Sequence, residues 1–204
     1  MMRRLIVNAD DFGLAPQVSA GILTAHRHGI VSSTTALVTV AIDDDSVGAL
    51  RDSGLGVGLH VNLTLGRPLS GGRSLVDAKG RFVRDGRHAV ARADGRDVAR
   101  EVSAQIQDES ARARARSAGL RTPDHFFGES GPGPYWSLAR TLAHLKTLPL
   151  GVSEFMAHPG WFDDELAYSR YGRQRETEMV GLGTPAARAA VESLGIRLCH
   201  FGVL

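Results

Sequence analysis

Apolar and polar positions alternate along the chain in blocks, and the period within each block separates strands from helices. Leu5-Ile6-Val7 is a continuous apolar, β-prone run, the pattern of a strand covered on both faces. From about residue 16 to 28 the period changes. Val18, Ile22 and Ala25 share one helical face, Pro16 suits the first turn and Gly29 the stop. Residues 33–38 and 55–61 read as a second and third strand, with a short helical piece at 46–51 between them. Residues 62–95 break the rhythm with Gly66, Pro68, Gly71, Gly72, Gly80, Gly86 and Gly95, a long loop excursion of the kind that carries function. Helical spacing returns over 96–119, where Val98, Val102 and Ile106 lie four apart and Asp108 can pair with Arg112. A strand at 121–126, a helix at 135–145, a strand at 154–157, a helix at 185–194 and a strand at 196–199 complete the series.

Strands separated by helices predict a parallel α/β sheet. With about six to seven strands in 204 residues, the expected architecture is a distorted or incomplete (β/α) barrel of the TIM type, with an open doubly wound sheet as the alternative. Neither a repeat nor a linker is visible, so one domain over 1–204 is expected.

Composition narrows this picture by exclusion. At 43% hydrophobic and 23% charged residues the chain reads as globular, and no apolar run approaches the roughly 20 residues of a membrane span. The apolar run after MMRR meets Asp10 too soon for a signal peptide, and the single Cys199 fits a reducing compartment, so a cytoplasmic location is expected. The isoelectric point near 9.0 invites a nucleic-acid reading. The net charge, however, is only +2, and the arginines between 84 and 116 alternate with carboxylates and lack aromatic partners, so no nucleic-acid face is expected.

The informative chemistry sits where predicted strands end. Asp10 and Asp11 follow the first strand, His60 lies in GVGLHVNLT, His125 in TPDHFFG and His158 in SEFMAHPGW. In a parallel fold the carboxyl ends of strands share one rim, so these groups can converge. Two imidazoles and a carboxylate form a common ligand set for a catalytic divalent ion, zinc before magnesium, and the second carboxylate would then serve as base. Each residue also has a plainer reading: the aspartates as a helix-start cap, the histidines as packed side chains, and the Pro159-Gly160 that follow His158 as a turn. Trp136, Trp161, Phe126 and Phe127 offer apolar faces for a sugar ring or for the core.

Taken together, RLIVNADDFG, GIVSSTTALV, VGLHVNLT, PDHFFG, EFMAHPGWFDDEL, RETEMVGL and GIRLCHFG resemble, in order, the YdjC-like carbohydrate deacetylases. The resemblance implies a distorted (β/α) barrel, a divalent metal and removal of an acetyl group from an N-acetylated sugar. It implies metal ligands at Asp11, His60 and His125, a general base at Asp10 and a general acid at His158, with either aspartate able to face the ion. Arg175 and Glu176 match a polar pair near the site, and with Trp161 are the expected substrate contacts. The chain departs from longer members in lacking the later histidines of a DSHxHxH run and in a short segment before His158. A metal hydrolase of another amide or a phosphoester, and a non-catalytic sugar-binding relative, are the rival readings. A homo-oligomer is compatible with an exposed barrel edge.

Overall fold

In a computed structural model, residues 2–84, 86–106, 123–128, 133–162, 164 and 171–203 are described. The chain divides into two compact units. The first comprises Met1–Ala36, Ile42–Gly58 and Leu120–Leu204, and the second Leu37–Ala41 and Leu59–Gly119.

The elements in order are β1 (Arg3–Phe12), α1 (Pro16–His28), β2 (Ser33–Leu37), α2 (Asp44–Asp52), β3 (Gly56–His60), α3 (Gly86–Arg92), α4 (Gly95–Ile106), β4 (His125–Phe127), α5 (Leu138–Lys146), β5 (Gly151–Ala157), α6 (Gln174–Leu182), α7 (Pro185–Ser193) and β6 (Arg197–Leu198). The strands form one sheet in the order β3-β2-β1-β5-β4, with β6 pairing the start of β1. β1 is parallel to β2, β5 and β6, and β4 is parallel to β5. This is the expected α/β architecture of an incomplete barrel.

The sheet's two faces follow from the alternation of side chains along a strand. Leu5, Val7 and Ala9 of β1 and Phe155 and Ala157 of β5 are buried in the main apolar cluster with Val18, Ile22 and Ala25 of α1 and Met179 and Leu182 of α6. The opposite face carries Ile6, which packs with Val152 and Cys199, and then the polar Asn8 and Asp10. At Trp136 the chain reaches the core rather than a ligand. Its ring is fully buried and stacks on Phe155 at 4.2 Å, and its indole N–H donates to the Met156 carbonyl at 2.7 Å.

Most predicted elements are present with shifted ends. β5 begins at Gly151, three residues before the expected start, and β4 is only three residues long. Two helices, α3 and α6, have no counterpart in the apolar pattern. α6 buries Arg175 and Glu178 beside Met179 and Leu182, so its inner face does not look apolar. The second half of the expected 96–119 helix, with the Asp108–Arg112 pair, and the start of the expected 121–126 strand lie outside the described residues. No helix among the described residues is long and apolar enough to cross a membrane.

Candidate active site

The paired aspartates owe their position to a break in register. Against β2, Ala9 pairs with Thr34 and Phe12 with Ala36, so β1 uses three steps where β2 uses two. That extra residue is a β-bulge, and Asp11 absorbs it with φ +75°, a left-handed conformation that aspartate tolerates better than most residues. The consequence is geometric. Phe12 returns to the core at zero exposure, while Asp10 and Asp11 are both held out of it.

Each carboxylate is anchored. Asp10 Oδ1 accepts from Asn8 Nδ2 and from Thr35 Oγ, both at 2.7 Å. Asp11 Oδ2 accepts from Arg175 Nη2 at 2.6 Å, a charge-assisted contact to a guanidinium that is 1% exposed. The next strand supplies the imidazole. Ala9 is in register with Ala157, so His158 follows β5 at the level where Asp10 follows Ala9. Its backbone N–H donates to Glu178 Oε2 at 2.7 Å, and its ring lies flat on Tyr171 at 4.3 Å. Burial pushes the His158 pKa down. The negative charges of Asp11 and Asp10 pull it up without prevailing, so the neutral ring is favoured.

Two members of this site escaped sequence reasoning. Glu178, 4% exposed, accepts from the backbone N–H groups of both Tyr135 and His158 and so ties α6 to the end of β5. Helical spacing could have found it, since positions 175, 178, 179 and 182 share a face. Glu154 lies on the Asp10 face of β5, paired with Ile6 and Phe126. Burial first, and then the charge of Asp10, raises its pKa to about 7. An alternation count from Asp10 and His158 backward along their strands would have marked it.

Of the expected metal ligands, the first unit does not bring His125 to the aspartates. His125 pairs with Ser153, which pairs with Leu5, so it stands at the start of its strand, five positions before Asp10. That is roughly 16 Å along the strand direction, whereas two atoms sharing one ion lie only about 4 Å apart. The register also turns His125 to the face of Leu5 and Ser153, opposite that of Asp10, and its Nε2 is 3.3 Å from the Leu150 carbonyl. Asp10 and Asp11 offer the hard oxygen donors a divalent ion takes; His125, at this register, does not fit the set. Among the described residues no group of three or more His, Cys, Asp or Glu side chains forms a ready metal cluster. His60 is the last residue of β3 and belongs to the second unit.

The expected substrate contacts divide. Arg175 is sealed in and committed to Asp11, so it holds the aspartate in place and presents nothing to a ligand. Glu176 points outward from the first turn of α6 toward Arg173 at 3.7 Å. Trp161 is 39% exposed and Phe126 is 59% exposed, leaving both able to meet a sugar ring, while Phe127 packs edge-on against Phe155 in the core.

Comparison with known proteins identifies the family of the chain. The family model described as "YdjC-like protein" matches residues 4–110 and 107–193. A chitooligosaccharide deacetylase of Yersinia enterocolitica is 32% identical over 252 aligned positions, covering 97% of this chain and 98% of the relative. Its namesake in Yersinia pestis is 31% identical over 255 positions, covering 98% and 99%. Both alignments are longer than the 204-residue chain, so the relatives carry segments that it lacks. Among solved structures, one from Enterococcus faecalis V583, provisionally described as a cellobiose-phosphate cleavage protein, superposes with TM-score 0.83 at 26% identity. It covers 100% of this chain and 99% of its own.

Proposed function

The chain belongs to the YdjC-like family, and from that footing we propose that it is a carbohydrate deacetylase, hydrolysing the acetamide of an N-acetylated sugar to acetate and a free amine. The observation that carries the reading is the bulge at Asp11, which sets two anchored carboxylates beside a buried imidazole.

In this reading Asp10 removes a proton from the attacking water. Its Oδ1 is fixed by Asn8 and Thr35, so the carboxylate keeps one orientation through turnover, which is where positioning lowers a barrier. His158 is the second proton carrier. Because burial keeps its ring neutral at rest, the proton it delivers to the leaving amine is one acquired during the reaction. Arg175 holds Asp11 in place through their buried ion pair. Trp161 and Phe126 supply apolar faces for the ring.

A divalent ion, zinc first and magnesium second, is part of the proposal on the strength of the NADDFG and GLHVNLT motifs, with Asp11 and His60 as its ligands. When bound, it would polarise the acetyl carbonyl and acidify water. His125 is left out of that set for the reason given by its register.

The test is a screen of N-acetylglucosamine oligomers against phosphorylated disaccharides, scored by acetate and phosphate release after chelation and return of zinc or magnesium. Acetate release that depends on the returned ion supports the reading. Phosphate or glycosidic cleavage instead would favour the chemistry for which the Enterococcus relative is described.

A further inference from the structure

Within the second unit the most heavily satisfied polar structure is not at the surface but behind the segment that follows His60. Gln105 of α4 is fully buried, and its amide addresses one backbone residue twice: Oε1 accepts from the Asn62 N–H at 2.9 Å, and Nε2 donates to the Asn62 carbonyl at 2.7 Å. A side chain is thus completing the hydrogen bonds that a neighbouring strand would make. One turn earlier Glu101, also fully buried, accepts from Gln105 Nε2 at 2.8 Å, from the Leu69 and Ser70 N–H groups at 3.0 and 2.8 Å, and from Ser70 Oγ at 2.7 Å. These donors hold its carboxyl below the ordinary glutamate range although burial pushes the other way.

Asn62 then fixes the turn itself. Its Nδ2 donates to Thr39 Oγ and the Leu65 carbonyl, both at 2.6 Å, and its Oδ1 accepts from the Thr64 and Leu65 N–H groups at 3.0 Å. Every polar atom of the three side chains has a partner, in a stretch otherwise built from loop. Such a network is worth more than its separate bonds and imposes one geometry. It brackets the chain from Asn62 to Ser70, and Asn62 stands two residues beyond His60.

We propose that Glu101 and Gln105 of α4 are positioning residues that fix, through Asn62, the place and orientation of His60. This rests on the part given to His60 in the proposed deacetylation. Removing the Gln105 amide frees the Asn62 backbone and lets His60 drift, and a drift of about 1 Å at such a group costs on the order of 10²-fold in rate.

The test compares wild type with Gln105→Leu, which keeps the volume and deletes the hydrogen bonds. Three quantities are read: thermal unfolding, the ring-proton NMR resonance of His60 identified with a His60→Gln reference, and kcat and KM on an N-acetylglucosamine oligomer. The expected result is a folded variant whose His60 resonance shifts or broadens and whose kcat falls about 10²-fold, with KM changed much less. A lower unfolding temperature with the His60 resonance and kcat unchanged would mean that the network only stabilises the loop, and would overturn the proposal. If Gln105→Leu does not fold, Glu101→Gln leaves Gln105 in place while turning one acceptor into a donor, and is read the same way. Because the resonance is measured without turnover, a wild type lacking deacetylase activity would defeat the functional reading and still leave this one decided.

Discussion

At the scale of single residues, Asp10 tests the proposed turnover and Glu154 tests the electrostatics beside it. Asp10 is anchored through one oxygen by Asn8 and Thr35, so Asp10→Asn keeps the shape and removes the proposed base. Acetate release should fall by about 10²–10⁴-fold while the unfolding temperature stays near that of wild type. Glu154 tests the electrostatics independently of turnover. Its pKa is raised by burial and by Asp10 to about 7 in the folded protein, against an ordinary 4.5. The protonated form is therefore favoured on folding, and that contribution is complete below pH 4.5 and lost as pH rises toward 7. Glu154→Gln, permanently neutral, should flatten this slope, making the variant more stable than wild type above pH 7 by about 1 kcal/mol after solvent screening of a partly buried group. Urea unfolding of both proteins between pH 4.5 and 8 measures it. A slope unchanged by the substitution would show that Glu154 ionises freely.

Secondary-structure elements are held to the site by close approaches and by one buried ion pair. Gly21 of α1 faces the turn after His158: a Cβ there would sit 2.6 Å from Gly160 Cα and 2.9 Å from the Trp161 nitrogen, both backbone atoms that cannot step aside. Gly21→Ala should accordingly destabilise the protein by about 1–3 kcal/mol and weaken turnover by shifting the HPG turn. Denaturant unfolding and acetate release together check both effects. Asp11→Ala strips the partner from Arg175, which is 1% exposed, and should cost about 3 kcal/mol or more because the guanidinium stays buried and uncompensated. At this scale the sequence was legible where burial was apolar. β1 shows an unbroken apolar run and α1 a plain helical period, and α1 has the bounds read from its pattern. It was illegible where polar groups are buried, as in α6 and along the Glu101–Gln105 face of α4. An apolar count scores those faces as solvent-facing.

For the molecule as a whole, the parallel α/β class and the order of motifs were readable because each strand-to-helix block has its own period. Register was not. Whether two strand-end residues meet depends on how far each strand slides past its neighbour, and nothing local to TPDHFFG discloses that His125 opens its strand instead of closing it. The bulge that Asp11 absorbs is equally silent in the letters NADDFG. The same geometry separates Arg175, buried under Asp11, from the substrate contact expected of it.

The most direct measurement is the stoichiometry of products from the disaccharide of N-acetylglucosamine incubated with the metal-supplemented protein. Acetate and free amine should accumulate in equal amounts with wild type and be nearly abolished with Asp10→Asn. Acetate formation undiminished in Asp10→Asn, or an intact acetamide after prolonged incubation with wild type, would contradict the assignment.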